Sequence, residues 1–160
     1  MTADSNRLFH GLLAGAVAML VGAIAFALWQ APPAIDPDDP MRVASGRRVY
    51  DRHCASCHGA KLEGQANWRE LLPSGRMPSP PHDASGHTWH HPDEVLFGIV
   101  KEGLASGKYA PPGYRSDMPA FAGVLTDEEI AAVLAYIMST WPEQQRGWQR
   151  EVDRRRRNQP

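Results

Sequence analysis

The sequence predicts one modest all-α domain carried behind a single apolar N-terminal helix. Three observations carry that reading. Apolar residues recur with a helical period in several separate segments, and no run of alternating β-branched residues competes with them. An uncharged stretch long enough to be a helix of its own stands near the N-terminus. The 160 residues, 42% hydrophobic and 22% charged, leave room for one core. Gly and Pro together make 28 residues, many for a helical domain, so long loops join the helices and must do something useful.

The net charge of −1 conceals an uneven distribution. Residues 36–141 carry 14 acidic and 10 basic side chains, residues 142–160 carry 3 and 6. No strongly basic body exists, so nucleic acid has no electrostatic footprint and is excluded as a partner. The run Arg154–Arg157 reads as a solvated chain end. Only two cysteines occur, three positions apart, which excludes a disulfide scaffold and a closed four-thiolate zinc site.

The first element is the nineteen-residue uncharged run from Gly11 to Trp29. As a helix it measures roughly 28 Å, close to the hydrocarbon thickness of a bilayer. Phe9 and Trp29 bracket it where aromatic rings favour the interface. Arg7 precedes it and three Asp follow it, so the positive-inside bias keeps the N-terminus in the cytoplasm. Residues 1–30 are therefore expected to be a single-pass anchor in a bacterial inner membrane, with everything after them in the periplasm. The rival is a cleaved signal peptide, since Ala25-Phe26-Ala27 has the small-x-small shape of a cleavage site. The apolar run is longer than the usual core of roughly 7–15 residues, which favours the anchor.

Residues 31–40, with Pro32, Pro33, Pro37 and Pro40 among three Asp, read as a stiff extended spacer that packs no core. The domain follows over residues 41–142. A first helix over 41–53 puts Val43, Gly46, Arg47 and Tyr50 on one face, with Met41 turned to the core. His91-Pro92-Asp93-Glu94 opens a second, with Pro92 at the first helical position. Val95, Leu96, Ile99 and Val100 follow the helical period there, and Gly103 is a natural stop. Thr126-Asp127-Glu128-Glu129 is a capping box for a third, whose Ile130, Val133, Leu134, Ile137 and Met138 face inward up to the stop before Pro142. Residues 143–160 read as a polar, basic tail in which another exposed helix starts.

The chemistry sits in Cys54-Ala55-Ser56-Cys57-His58, the C-x-x-C-H attachment sequence of c-type haem. Two thiols three residues apart reach the two vinyl groups of one porphyrin and form thioethers. The following imidazole then comes round beneath the ring to bind iron. A thioredoxin-like C-x-x-C would need a βαβ context. A plain disulfide is open to an exported protein. Neither uses His58.

These residues resemble the class I c-type cytochromes, as a membrane-anchored single-haem member, over residues 41–141. The likeness is carried by Gly46 and Tyr50 before the attachment site, by Cys54, Cys57 and His58, by Gly59 and Gly64, by Met118-Pro119, and by Tyr136 in the closing helix. It implies the class I cytochrome c fold round one covalently attached haem c, with first and last helices crossing closely and Gly46 letting Tyr136 approach. Met77 and Met118 are the two thioethers in loops, each followed by a Pro that holds it extended. The resemblance favours Met118, sixty residues after His58, as the second axial ligand. Met77 is then loop packing.

His82, His87, His90 and His91 crowd round Trp89. Packing and haem-edge hydrogen bonding are the expected use, with a copper or zinc site or a pH-sensitive role as rivals. Trp68, Arg69, Arg76 and Trp89 are candidates for the haem propionates. With His and Met on both axial positions iron keeps no open site. The expected function is therefore one-electron transfer between a redox donor and acceptor, and not an enzyme's. A sensory or enzymatic haem domain with a displaceable Met118, or a subunit of a larger respiratory complex, are the alternatives.

Overall fold

A computed structural model describes residues 3–30 and 32–158, with the side chains of the first helix described at 10, 13–24 and 26. The chain forms two compact units, 1–32 and 33–160. The first is α1 (Ala3–Gln30), a single helix of 28 residues. Leu13, Val17, Leu20 and Ile24 are exposed on it. Among the described residues no helix is long and apolar enough to cross a membrane. Much of the expected span lies outside the described side chains, including Phe9, Gly11, Leu12, Ala25 and residues 27–30.

The second unit begins in extended chain. Residues 33, 35, 37 and 39 are half-buried while 34, 36 and 38 are exposed, the period-two pattern of a chain laid along a surface. Ile35 packs against the core, and Asp38 pairs with Arg146 at 2.7 Å. The expected spacer thus belongs, in its second half, to the domain. Extended proline-rich backbone still offers every second side chain to a surface beside it.

Next, α2 (Pro40–His53) starts because the Asp39 carboxylate accepts from the N–H groups of Met41 and Arg42 (2.9 and 3.3 Å) and Pro40 needs no partner. Its buried face is Gly46, Val49 and Tyr50. Two expectations are corrected here. Arg47 turns outward, 3.9 Å from Asp51, because a guanidinium placed inside would lose its hydration with no partner to replace it. Met41 is 79% exposed, since it lies two positions, about 200°, round the helix from Val43.

One turn, α3 (Ala55–His58), follows a break at Cys54. A long loop then leads through a 3-10 turn at Thr88–His90 to α4 (Asp93–Glu102), ended by Gly103 at φ +70°. Pro92 is the extended cap of α4 and not its first helical residue. Lacking a side-chain acceptor, it leaves the Asp93 N–H to be satisfied from elsewhere. Asp153 does so, at 3.1 Å and 60 positions away.

Last come α5 (Asp127–Ser139), with the capping box of Thr126 and Glu129 formed, and α6 (Glu143–Arg157). The expected tail is therefore a docked helix: Gln149 and Asp153 are buried, and Gln149 donates to the Asp93 carboxylate at 2.6 Å. Its four terminal arginines are exposed, as expected. Arg155 pairs with Glu151 at 2.6 Å and Arg156 with Glu94 at 3.3 Å. The core lies between α2, α4 and α5, with Tyr50, Ile130 and Val133 fully enclosed. Where α2 crosses α5, a Cβ on Gly46 would overlap the Ala132 carbonyl and stand 3.0 Å from the Tyr136 Cβ. The Tyr50 and Tyr136 rings meet beside it at 5.5 Å. Among the described residues there is no strand.

Candidate functional site

The five attachment residues span the break between α2 and α3. Cys54 is half-buried against the core and Cys57 is exposed. Burial, and then the neighbouring Cys57, push the Cys54 thiol up to about 11. A redox-active or metal-binding thiol needs the opposite shift, which argues against the thioredoxin-like reading.

His58 is 7% exposed, and its Nδ1 stands 2.9 Å from the Pro80 carbonyl oxygen. A carbonyl can only accept, so Nδ1 carries the proton. Burial also lowers the ring's pKa and keeps it neutral. The Nε2 lone pair is then left for a metal, the tautomer and second contact that a ligating imidazole needs.

The loop after it is shaped for this contact. Gly64, at φ +67°, donates to the His58 carbonyl at 2.8 Å, and a Cβ there would overlap Pro80 and Pro81. Leu62 is buried at φ +68°, a backbone conformation costly for leucine. Its carbonyl accepts from the N–H groups of His82 (2.8 Å) and Asp83 (3.2 Å). Tyr50 donates to the Gly59 carbonyl at 2.8 Å, joining α2 to the same loop.

Met118 is half-buried against the core, and its N–H donates to the Ser116 hydroxyl at 3.0 Å. Arg76 reaches the Ser116 carbonyl at 3.1 Å and Asp117 at 2.6 Å, while the Met77 N–H donates to the Arg115 carbonyl at 2.9 Å. Both candidate methionines therefore lie on segments stitched to each other. Gly103 leaves room for the Pro119–Ala120 peptide behind Met118.

Of the propionate candidates, Arg76 is spent on that stitching, and Arg69 lies over the Trp68 ring at 4.0 Å. Trp68 in turn stacks on His87. The Trp89 Nε1 and the His87 Nδ1 are buried without a partner. Orphaned buried polar atoms of this kind suit a carboxylate brought in by a cofactor. The residues present thus fit a haem: two thiols at the attachment spacing, an imidazole with its outer nitrogen fixed, and two buried polar atoms left without a protein partner. Among the four loop histidines, His87 and His91 meet at 5.5 Å and His90 lies against Trp89, while the His82 ring stacks on His58. Among the described residues no group of three or more His, Cys, Asp or Glu is placed to hold a metal ion. The sequence pointed to packing or haem-edge hydrogen bonding for His82, not to a stack on His58, and carried no signal for the Pro80 carbonyl, because backbone acceptors carry no residue signature.

A family profile described as Cytochrome c matches residues 43–141. The chain is 27% identical over 105 residues to cytochrome c-555 of Prosthecochloris aestuarii, covering 61% of this chain and 86% of the relative. It is 30% identical over 105 residues to cytochrome c6 of Leptolyngbya boryana, covering 66% of this chain and 96% of the relative. No solved structure matches.

Proposed function

The chain belongs to the cytochrome c family, and on that premise we propose that it is a membrane-tethered, periplasmic carrier of single electrons between two redox proteins. Covalent haem c and electron transfer come with the family. The ligand set, tether, compartment and partners are the proposal: haem bound through Cys54 and Cys57, with His58 and Met118 on the iron. The observation that carries it is the His58 imidazole, neutral, buried and held through Nδ1 by the Pro80 carbonyl, with Nε2 left to coordinate.

When bound, the haem supplies an iron that takes up and releases one electron. The chain does the rest. His58 is held by one hydrogen bond and a buried site. Met118 is presented from a loop stiffened by Pro111, Pro112 and Pro119, and Arg76 ties its neighbours down. Held from both sides by His58 and Met118, the iron would change its coordination little between oxidation states, which would suit fast exchange. The uncharged run 11–29 supports the tether, and the three Asp after it support the exported side.

The test is a pair of variants. Met118→Ala is expected to abolish the weak red sulfur-to-ferric-iron band, lower the reduction potential and open the iron to carbon monoxide. Met77→Ala should leave all three unchanged. Loss of the band in the Met77 variant alone would overturn the assignment. Carbon monoxide binding by the unaltered protein would favour a sensory or enzymatic domain.

A further inference from the structure

The His82 imidazole lies face to face with that of His58, ring centres 4.0 Å apart and planes 21° from parallel. This is van der Waals contact between a loop residue and the proposed iron ligand, 24 positions apart in sequence. His82 is itself held on every side. Its Nδ1 stands 2.9 Å from the Thr88 hydroxyl, which lies 3.5 Å from the Pro81 carbonyl. Its N–H donates to the carbonyl of the strained Leu62, and its own carbonyl accepts from the Trp141 indole at 2.7 Å. The Tyr50 ring meets it edge-on at 6.4 Å.

We infer that His82 is a positioning residue for the axial ligand, fixing the plane of the His58 imidazole about its bond to iron. The inference rests on His58 being that ligand. The hydrogen bond to Pro80 cannot do this alone. A carbonyl accepts over a broad range of directions, so a ring tied only at Nδ1 can still rock about that bond. Rocking would drive the face of the His58 ring into His82, which cannot yield because Thr88, Leu62, Trp141 and Tyr50 hold it. Two constraints in different directions fix a plane where one does not. The imidazole plane matters because it selects which iron d orbital holds the unpaired electron in the ferric state, and so sets the anisotropy of the resonance signal. Histidine suits the position: it is flat enough to stack, and its Nδ1 anchors the ring where a leucine or phenylalanine would turn freely.

The test uses the full chain purified with haem, and three variants: His82→Leu, His82→Phe and Thr88→Val. Electron paramagnetic resonance of the low-spin ferric protein and the reduction potential are read for each, with haem content by mass. His82→Leu is expected to shift and broaden the largest g value and to move the potential. His82→Phe, which keeps a flat ring, should restore the g value with a broader line. Thr88→Val should broaden the line with both rings intact. A Leu variant with the signal and potential of the unaltered protein would overturn the inference. Should that variant not retain haem, an unchanged line in Thr88→Val overturns it equally. Failure of the ligand reading looks different: His58→Ala would then keep the signal of the unaltered protein.

Discussion

At the scale of single residues, space decides more than chemistry. Gly46 is the case where one methyl group is too much, since its Cβ would overlap the backbone carbonyl of Ala132, which has no rotamer to change. Gly46→Ala brings two opposed effects. Alanine favours an exposed helix by about 1 kcal/mol over glycine. Overpacking a tight crossing costs roughly 1–3 kcal/mol and grows when the obstacle is backbone. The expected outcome is a net loss, read as a lower unfolding midpoint of the haem-loaded protein; a raised midpoint would show that α2 and α5 slide apart freely. Tyr50 works by reach, holding the attachment loop through the Gly59 carbonyl from inside the core. Tyr50→Phe should cost about 1 kcal/mol, the net worth of one such hydrogen bond, and leave the visible spectrum in place.

At the scale of elements, α4 and α6 complete each other. Asp153 caps the N-terminus of α4, and Gln149 holds Asp93 beside it. Burial, and then the neighbouring Asp153, raise the Asp93 carboxyl from its ordinary value to about 6, against the pull of Gln149 and Arg157. A carboxyl whose folded pKa is raised adds stability that is fully present below its unfolded value and is lost as pH rises through about 6. Asp93→Asn keeps an oxygen for Gln149 and removes the titration. Relative to this variant, the unaltered protein should lose stability between about pH 4 and pH 6, with a constant difference above; urea midpoints across that range give the answer. A difference that does not vary with pH would mean that Asp93 is solvated like any surface acid. Asp153→Ala should cost about 1–2 kcal/mol, the usual loss of an N-cap, although the cap comes from another helix.

At the scale of the molecule, the long loop between α3 and α4 carries little regular structure, and the attachment site closes round its first residues. A small domain with this much loop would depend on a bound haem to complete the apolar core that α2, α4 and α5 build. Replacing both Cys54 and Cys57 by Ser is expected to yield chain without haem and with greatly reduced helical signal, because binding free energy is also folding free energy. Folded, haem-stained double variant at normal yield would contradict this. The tether is tested separately. The intact chain should keep residues 11–29 by mass and stay with membranes through a high-salt wash, and a mature N-terminus near Leu28 would mean that the segment is a cleaved leader.

What could be read from the sequence was whatever neighbours decide between themselves. Cys54, Cys57 and His58 fit the attachment pattern set by the width of one porphyrin, so five consecutive residues hold the whole signal. The Thr126–Glu129 box and the Gly103 stop are satisfied within one helical turn, and both stand where expected. Tertiary structure decided what depends on distant partners. Arg47 faces out because no acid meets it inside, and α6 docks because Asp93 needs Asp153. His82 stacks on His58 because Leu62, Thr88 and Trp141 hold it there. A periodic pattern records which face of a helix is apolar, but a ring stack 24 positions apart or a hydrogen bond 60 positions apart leaves no period to read.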